Sequence, residues 1–148
     1  MKKYSKLVVS MVMVVFMLTI VSISIAADKT YGEVTVEKVV SVYDGDTFKV
    51  DIKGWPDIIG KSIGIRIYGI DTPEIRGTRG VVKDLAMLAK AFTDSELVLA
   101  SKVELRNIRR GKYFRIIADV YVDGKDLAKL LLDNGFAKPY YGGKRPKW

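Results

Sequence analysis

From Glu33 onward, apolar residues recur at every second position. Val34, Val36, Val40 and Val42 share one phase, a break follows at Tyr43-Asp44-Gly45, and a second run extends from Asp46 to Ile52. Successive side chains of a strand point to opposite faces, so this spacing predicts two antiparallel strands joined at the break. Gly54-Trp55-Pro56-Asp57 reads as a loop. Ile63, Ile65 and Ile67 then alternate with Gly64, Arg66 and Tyr68 in a third strand that stops at Asp71-Thr72-Pro73. Over residues 81 to 93 the period changes: Val81, Leu85, Leu88 and Phe92 stand three or four apart, as one face of an amphipathic helix requires. Strand periodicity returns over Leu97 to Leu105 and Phe114 to Val122, two segments joined by the polar, basic stretch Arg106 to Lys112. Asp126 is placed to cap a short helix bearing Leu127, Leu130 and Leu131, Gly135 supplies its stop, and Pro139 to Trp148 shows no regular pattern.

Five short strands, with one helix after the third and another at the end, predict a mainly β domain of the α+β class. A five-stranded OB-type barrel with two or three helices suits that order. Barrel closure cannot be read from periodicity, and an open sheet packed by two helices would give nearly the same pattern.

Ahead of this domain, Lys2, Lys3 and Lys6 precede an uncharged apolar run of 19 residues, Leu7 to Ile25, which leads into Ala26-Ala27. An export signal with a small-residue cleavage site has this order of parts and would place the rest of the chain outside the cytoplasm. The run also approaches the ~20 residues of a bilayer span, so an uncleaved N-terminal anchor is the alternative. Either way the chain divides into residues 1–26 and one domain over residues 27–148, long enough for a modest core and too short for two. The leading segment takes three of the 25 basic residues and none of the 17 acidic ones, leaving 22 against 17 in the domain. That surplus favours polyanionic partners.

Composition narrows the chemistry further, because the chain has no Cys and no His. Ser-His-Asp and Cys-His nucleophiles, HExxH zinc sites, Cys/His zinc sites and a histidine base are thereby excluded. Catalysis here must use Asp, Glu, Arg, Lys, Tyr or backbone groups, with or without a metal that accepts oxygen ligands.

Three clusters could carry such chemistry. Asp44-Gly45-Asp46-Thr47 suits a hairpin turn, and Asp-Gly recurs at Asp123-Gly124, but Asp46 also shares parity with Phe48, Val50 and Ile52. A regular strand would put its carboxylate at the end of the inward row, where a charge needs a partner or a metal. Asp71-Thr72-Pro73-Glu74 suits a Pro-directed turn, yet Asp71 is in phase with Ile63, Ile65 and Ile67. Two strand-end carboxylates with a nearby carbonyl would make a hard-cation site suited to Ca²⁺ or Mg²⁺. Arg66 and Arg115 each sit in a strand among apolar neighbours, either snorkelling from an outer face or forming a guanidinium fork for a phosphate. Both are out of phase with the apolar rows, so simple parity does not aim them at the carboxylates. In the tail, Tyr140, Tyr141 and Trp148 interleave with Lys144, Arg145 and Lys147, a mixture that suits unpaired nucleic acid; a basic terminus that touches nothing is the plain alternative.

Taken in order and at these separations, Tyr43-Asp44-Gly45-Asp46-Thr47, then Arg66-Ile67-Tyr68-Gly69-Ile70-Asp71-Thr72-Pro73-Glu74, then Lys112-Tyr113-Phe114-Arg115, resemble the thermonuclease family typified by staphylococcal nuclease. The resemblance runs from about Glu33 to Tyr140. It implies an OB-type barrel and calcium-dependent hydrolysis of phosphodiesters in DNA and RNA, leaving 3′-phosphates. By the same resemblance Asp46 and Asp71 would be side-chain ligands of Ca²⁺, with the Thr72 carbonyl as a third. Arg66 and Arg115 would hold the scissile phosphate, Glu74 would act as or orient the base on the attacking water, and Tyr113 would contact a nucleotide. Tyr140, from the tail, joins Tyr113 as a candidate for substrate binding. No protein partner is inferred, and a monomer is expected.

Phe114 departs from the family pattern, which commonly has Gly before the second Arg. The loop Ile75 to Gly80 is shorter than in the staphylococcal enzyme and is similar to that of an exported bacterial subgroup, and the long C-terminal helix of the staphylococcal protein is missing. Two rival readings compete with an enzyme. A non-catalytic OB-fold nucleic-acid-binding module would need basic and aromatic surface but neither paired Asp nor Glu74. An envelope-tethered structural protein would leave the whole motif set unexplained.

Overall fold

The computed structural model describes residues 29–148, so the segment read as an export signal or anchor lies outside the described residues. Among those described, the strands are β1 (Val34–Thr35), β2 (Lys38–Asp44), β3 (Thr47–Asp51), β4 (Ile63–Ile67), β5 (Ile70–Asp71), β6 (Val103–Arg110), β7 (Arg115–Val122), β8 (Lys125–Asp126) and β9 (Lys138–Pro139). The helices are α1 (Asp57–Gly60), α2 (Val81–Leu99) and α3 (Leu127–Asp133).

The main sheet runs β1-β6-β7-β4-β3-β2, with β8 on the side of β7. Only Val36 and Glu37 separate its two end strands, so β1 and β2 are halves of one bent strand. The first half pairs Val34 with Leu105 of β6, and the second half pairs along β3. At the bend, the Val36 N–H donates to the Val103 carbonyl at 2.9 Å while the Glu37 N–H donates to the Asp51 carbonyl at 2.9 Å. One segment thus holds both edges of the sheet and curls it into a five-stranded OB-type barrel, the α+β architecture expected from the strand order. The ladder between β4 and β7 is parallel, and the other ladders of this sheet are antiparallel.

The alternation in β3 and β4 survives folding intact. Phe48, Val50 and Ile52 from one segment and Ile63, Ile65 and Ile67 from the next are buried and join Leu105, Ala118 and Val120 inside the barrel. Leu127 and Leu131 of α3 add to the same core. Asp126 caps α3 by accepting the Lys129 N–H at 3.2 Å, and Gly135, at φ +73°, ends it with its N–H on the Leu132 carbonyl.

Several expectations are corrected. A register shift between Val39 and Ser41 breaks the phase of β2, so Val40 is exposed while Val42 is buried. The stretch after Gly54 holds the helical turn α1 as well as a loop. Helix α2 continues to Leu99, so the strand predicted from Leu97 begins at Val103. The basic stretch Arg106 to Lys112 is mostly strand: β6 runs to Arg110 through an irregularity between Arg106 and Arg109, and the connecting turn is only Gly111 to Phe114.

The buried face of α2 is also not the one the large apolar residues mark. Val81 and Leu88 are 83% and 57% exposed, and Ala86, Ala89, Thr93 and Leu97 are buried instead. The reason is a close approach. A Cβ built on Gly45 would lie 2.8 Å from Ala89 Cβ and 2.9 Å from Thr72 Cγ2. The Thr93 hydroxyl donates to the Gly45 carbonyl at 2.6 Å. Only small side chains let a helix sit this tightly on the β2–β3 turn, and that turn carries two aspartates.

Candidate active site

Asp46 stands at the head of β3, where the inward row Phe48, Val50, Ile52 runs out, and it is almost wholly buried. Asp71, in β5, is buried too. Gly69, at φ +81°, lets the chain turn after β4 and resume, so Asp71 keeps the phase of the isoleucine row as its spacing suggested.

Between these acids lies Arg66. Its Nη1 donates to Asp46 Oδ1 at 2.5 Å, and its Nη2 donates to Asp71 Oδ1 at 3.1 Å and to the Ile70 carbonyl at 3.3 Å. The parity argument that aimed Arg66 away from the carboxylates fails here. Its Cα does lie on the outer face, paired with Thr47 at the start of β3, but the long side chain curls around the strand end to reach the acids.

A second guanidinium extends the chain of charges. Arg145 Nε lies 3.5 Å from Asp71 Oδ1, and its Nη1 donates to Glu74 Oε1. Trp148 Nε1 donates to Asp71 Oδ2 at 3.1 Å. The tail is held over the acids from both ends. The strands β5 and β9 pair Asp71 with Lys138, the Lys138 ammonium donates to the Lys147 carbonyl at 2.7 Å, and the same ammonium lies 4.4 Å from the Trp148 ring centre. The tail therefore does not hang free as a terminus that touches nothing. Its Arg145 is turned onto the acids rather than out toward a substrate.

Negative charge is in excess at this end of the barrel. Asp44 is buried beside the others and accepts the Asp46 N–H at 3.3 Å; burial first, then the charges of Asp46 and Glu74, push its carboxyl up to about 7. Burial also raises Asp46, against the lowering effects of Arg66, the Thr47 hydroxyl and the Thr72 N–H. The hydrogen bond that Arg145 donates to Glu74 holds its guanidinium above its ordinary value. Thr72 donates its N–H to Asp46 Oδ2 at 3.0 Å, and its buried hydroxyl oxygen has no partner among the described residues.

This is a donor set for a hard cation in chemistry and charge: carboxylate and hydroxyl oxygens, no nitrogen or sulfur, and surplus negative charge that two guanidiniums leave unbalanced. Among the described residues no three acidic side chains converge as a ready-made metal cage, so a cation here would rest on the two carboxylates and on Thr72.

Arg115 lies on the same outer face as Arg66, two positions along the β4–β7 ladder, opposite Gly64. A Cβ on Gly64 would meet Arg115 Cγ at 3.0 Å, so the glycine makes room for the arginine stem. The Arg115 Nε is buried without a partner among the described residues. Arg66, Arg115, Arg145, Tyr140 and Tyr141 line one open cleft of about 680 Å³. Tyr113 does not: it is 90% exposed at the tip of the β6–β7 hairpin and faces a different cavity, shared with Tyr43 and Lys49.

The structure thus brings together Asp46, Asp71, Thr72, Glu74 and Arg66, adds Arg115 and Tyr140 along the cleft, and sets Tyr113 on a neighbouring cavity that Arg115 also lines. The sequence pattern places Asp44 only in a turn and Arg145 only among tail cations suited to nucleic acid, and misses their places against the other acids. The parity of Asp44 with Val42 was a signal for the first; no spacing rule announces the second.

A family described as "Staphylococcal nuclease homologue" matches residues 64–147, a span that holds Arg66, Asp71, Glu74, Arg115 and Arg145 but begins after Asp46. The chain is 37% identical over 116 residues to the SPbeta prophage-derived endonuclease YokF of Bacillus subtilis, covering 76% of this chain and 36% of that protein. It is 35% identical over 116 residues to the endonuclease YncB of the same organism, covering 76% and 50%. The chain therefore matches at most half the length of these relatives.

Proposed function

The chain belongs to the staphylococcal nuclease family, and from that premise we propose that it is a calcium-dependent nuclease that hydrolyses phosphodiesters in DNA and RNA, with little sequence preference, to 3′-phosphates. The observation that carries this reading is the run Asp46, Arg66, Asp71, Arg145, Glu74, in which acids and guanidiniums alternate in contact beside Arg115, whose buried Nε has no partner among the described residues.

In this reading Arg115 and Arg66 receive the non-bridging phosphate oxygens, for which a guanidinium offers paired N–H donors and a charge it cannot lose. Glu74, at the solvent edge of the acids, takes a proton from water as the water oxygen bonds to phosphorus. The bond from phosphorus to the 5′ oxygen breaks, and that oxygen is protonated from solvent. Both guanidiniums offset the negative charge that grows on phosphorus. When bound by Asp46, Asp71 and the Thr72 carbonyl, Ca²⁺ would supply a further fixed positive charge beside the phosphate. Contacts confined to phosphate position a strand without reading its bases, which accounts for the low sequence preference.

The basic, apolar leading segment supports action of the domain over residues 27–148 outside the cytoplasm, exported or anchored. The deciding assay incubates the chain with single-stranded DNA in Ca²⁺ and then in EGTA, with end-group analysis of the products. Cleavage to 3′-phosphates that stops in EGTA is expected. Equal turnover in EGTA removes the calcium role, and tight binding with no cleavage under any metal makes the chain a nucleic-acid-binding module.

A further inference from the structure

The turn that joins β6 to β7 is built from residues poorly suited to it. Lys112-Tyr113-Phe114-Arg115 closes with the Arg115 N–H on the Lys112 carbonyl at 3.2 Å, and its two central residues have φ +57° and +61°. Positive φ at both centres is the type I′ hairpin, whose usual occupants are Asn and Gly because a branched or aromatic side chain is strained there. The strain is not repaid by burial. Tyr113 is 90% exposed and Phe114 is 69% exposed, and neither belongs to the core. A glycine at 114 would make the same turn more easily. Strain kept at an exposed aromatic beside a reactive cleft points to a task outside the fold.

Its surroundings indicate the task. Phe114 stands between two cavities, of about 530 and about 500 Å³, and Arg115 lines both. The first also holds Tyr43, Lys49 and Lys61, and the second Tyr31, Trp55, Arg109 and Arg110. An exposed ring flanked on each side by cations and further rings suits a nucleobase whose neighbouring phosphates follow the cations.

We infer that Phe114 is a specificity-determining residue that stacks on the base next to the phosphate held by Arg115, giving the protein a preference for unpaired strands. A base in a duplex is already stacked on both faces, so the ring gains little there. The inference rests on the nuclease reading of Arg115, and its test runs without turnover so that the two can fail separately.

The affinity of the full chain for a labelled 12-nucleotide single strand and for its duplex is measured in EGTA by fluorescence anisotropy, for the parent and for Phe114→Gly, Phe114→Leu and Phe114→Trp. Stacking of one base predicts that the glycine and leucine variants lose roughly 5- to 150-fold on the single strand, that the tryptophan variant retains or gains affinity, and that all bind duplex within about two-fold of the parent. Thermal unfolding checks that Phe114→Gly is folded. Unchanged single-strand affinity in Phe114→Gly, an equal loss on duplex, or full affinity in Phe114→Leu overturns the inference. If the parent binds as expected but never cleaves, the stacking role stands and the nuclease reading falls.

Discussion

Two turns flank the central strand β4, and they are made on opposite plans. The Asp44 to Thr47 turn is buried and charged: its glycine is pressed on Ala89 and Thr72, its carbonyl is taken by Thr93, and its Asp46 is paired with Arg66. The Lys112 to Arg115 turn is exposed and aromatic, with two non-glycine residues in a left-handed conformation and rings left largely open to solvent. Close packing fixes atoms to fractions of an ångström and suits groups that must hold a cation or move a proton. A protruding ring suits a flexible strand, because it needs area more than position. The first turn thus carries the proposed chemistry and the second the proposed grip on substrate, with Arg66 and Arg115 on one sheet face linking them.

If that division is right, damage at the buried end should remove turnover and stability while sparing binding. Glu74→Gln should lower turnover by about 10² to 10⁴-fold, the usual contribution of a positioned base, with single-strand affinity in EGTA unchanged. Rates and anisotropy on one preparation check both halves, and a variant within two-fold of the parent rate would return Glu74 to a purely structural position.

Removing the guanidinium that separates the buried acids should cost most in stability. Arg66→Met leaves buried Asp46 without a cation and Asp71 with only the half-exposed Arg145, a loss of about 3 to 5 kcal/mol, read from urea unfolding in EGTA. A midpoint close to the parent's would mean that the acids relax apart or take up protons at little cost.

Gly45→Ala tests packing alone, since φ at Gly45 is not positive and the new methyl meets Ala89 Cβ at 2.8 Å. Overpacking should cost about 1 to 3 kcal/mol. A neutral result would show that α2 can retreat, and would weaken the view that its alanine face exists to seat the turn.

The tail gives a smaller effect of opposite sign. Arg145 is half exposed and neutralises Asp71 and Glu74, so Arg145→Ala should tighten Ca²⁺ binding by roughly two- to five-fold, the scale of an exposed ion pair. Calorimetric titration reads it, and weaker binding would make Arg145 a support for the site instead of a competitor.

The smallest shift is the sharpest contrast. Phe114→Gly should raise stability by about 0.5 to 1 kcal/mol, because relief of the left-handed strain exceeds the entropy glycine adds to the unfolded chain. A glycine lost from the first turn destabilises, and a glycine gained in the second stabilises. Lower stability in Phe114→Gly would mean that the aromatic tip supports the fold after all.

The amino-acid sequence determined what short-range periodicity can carry. Alternation placed β3 and β4 and the carboxylates Asp46 and Asp71 at the ends of inward rows, because a strand's side chains have a fixed two-residue repeat and a buried row must end somewhere. The absence of His and Cys confined any catalysis to Asp, Glu, Arg, Lys, Tyr or backbone groups. Three matters were settled only by tertiary structure. Arg66 reaches the acids from the outer face because a long side chain at a strand end escapes the alternation that governs its Cα. Helix α2 buries Ala86, Ala89 and Thr93 rather than Val81 and Leu88 because how closely it approaches a glycine turn far away in the chain decides which face is inside. Arg145 and Trp148 join the site because β9 pairs with β5, a contact across about seventy residues whose register no local pattern encodes.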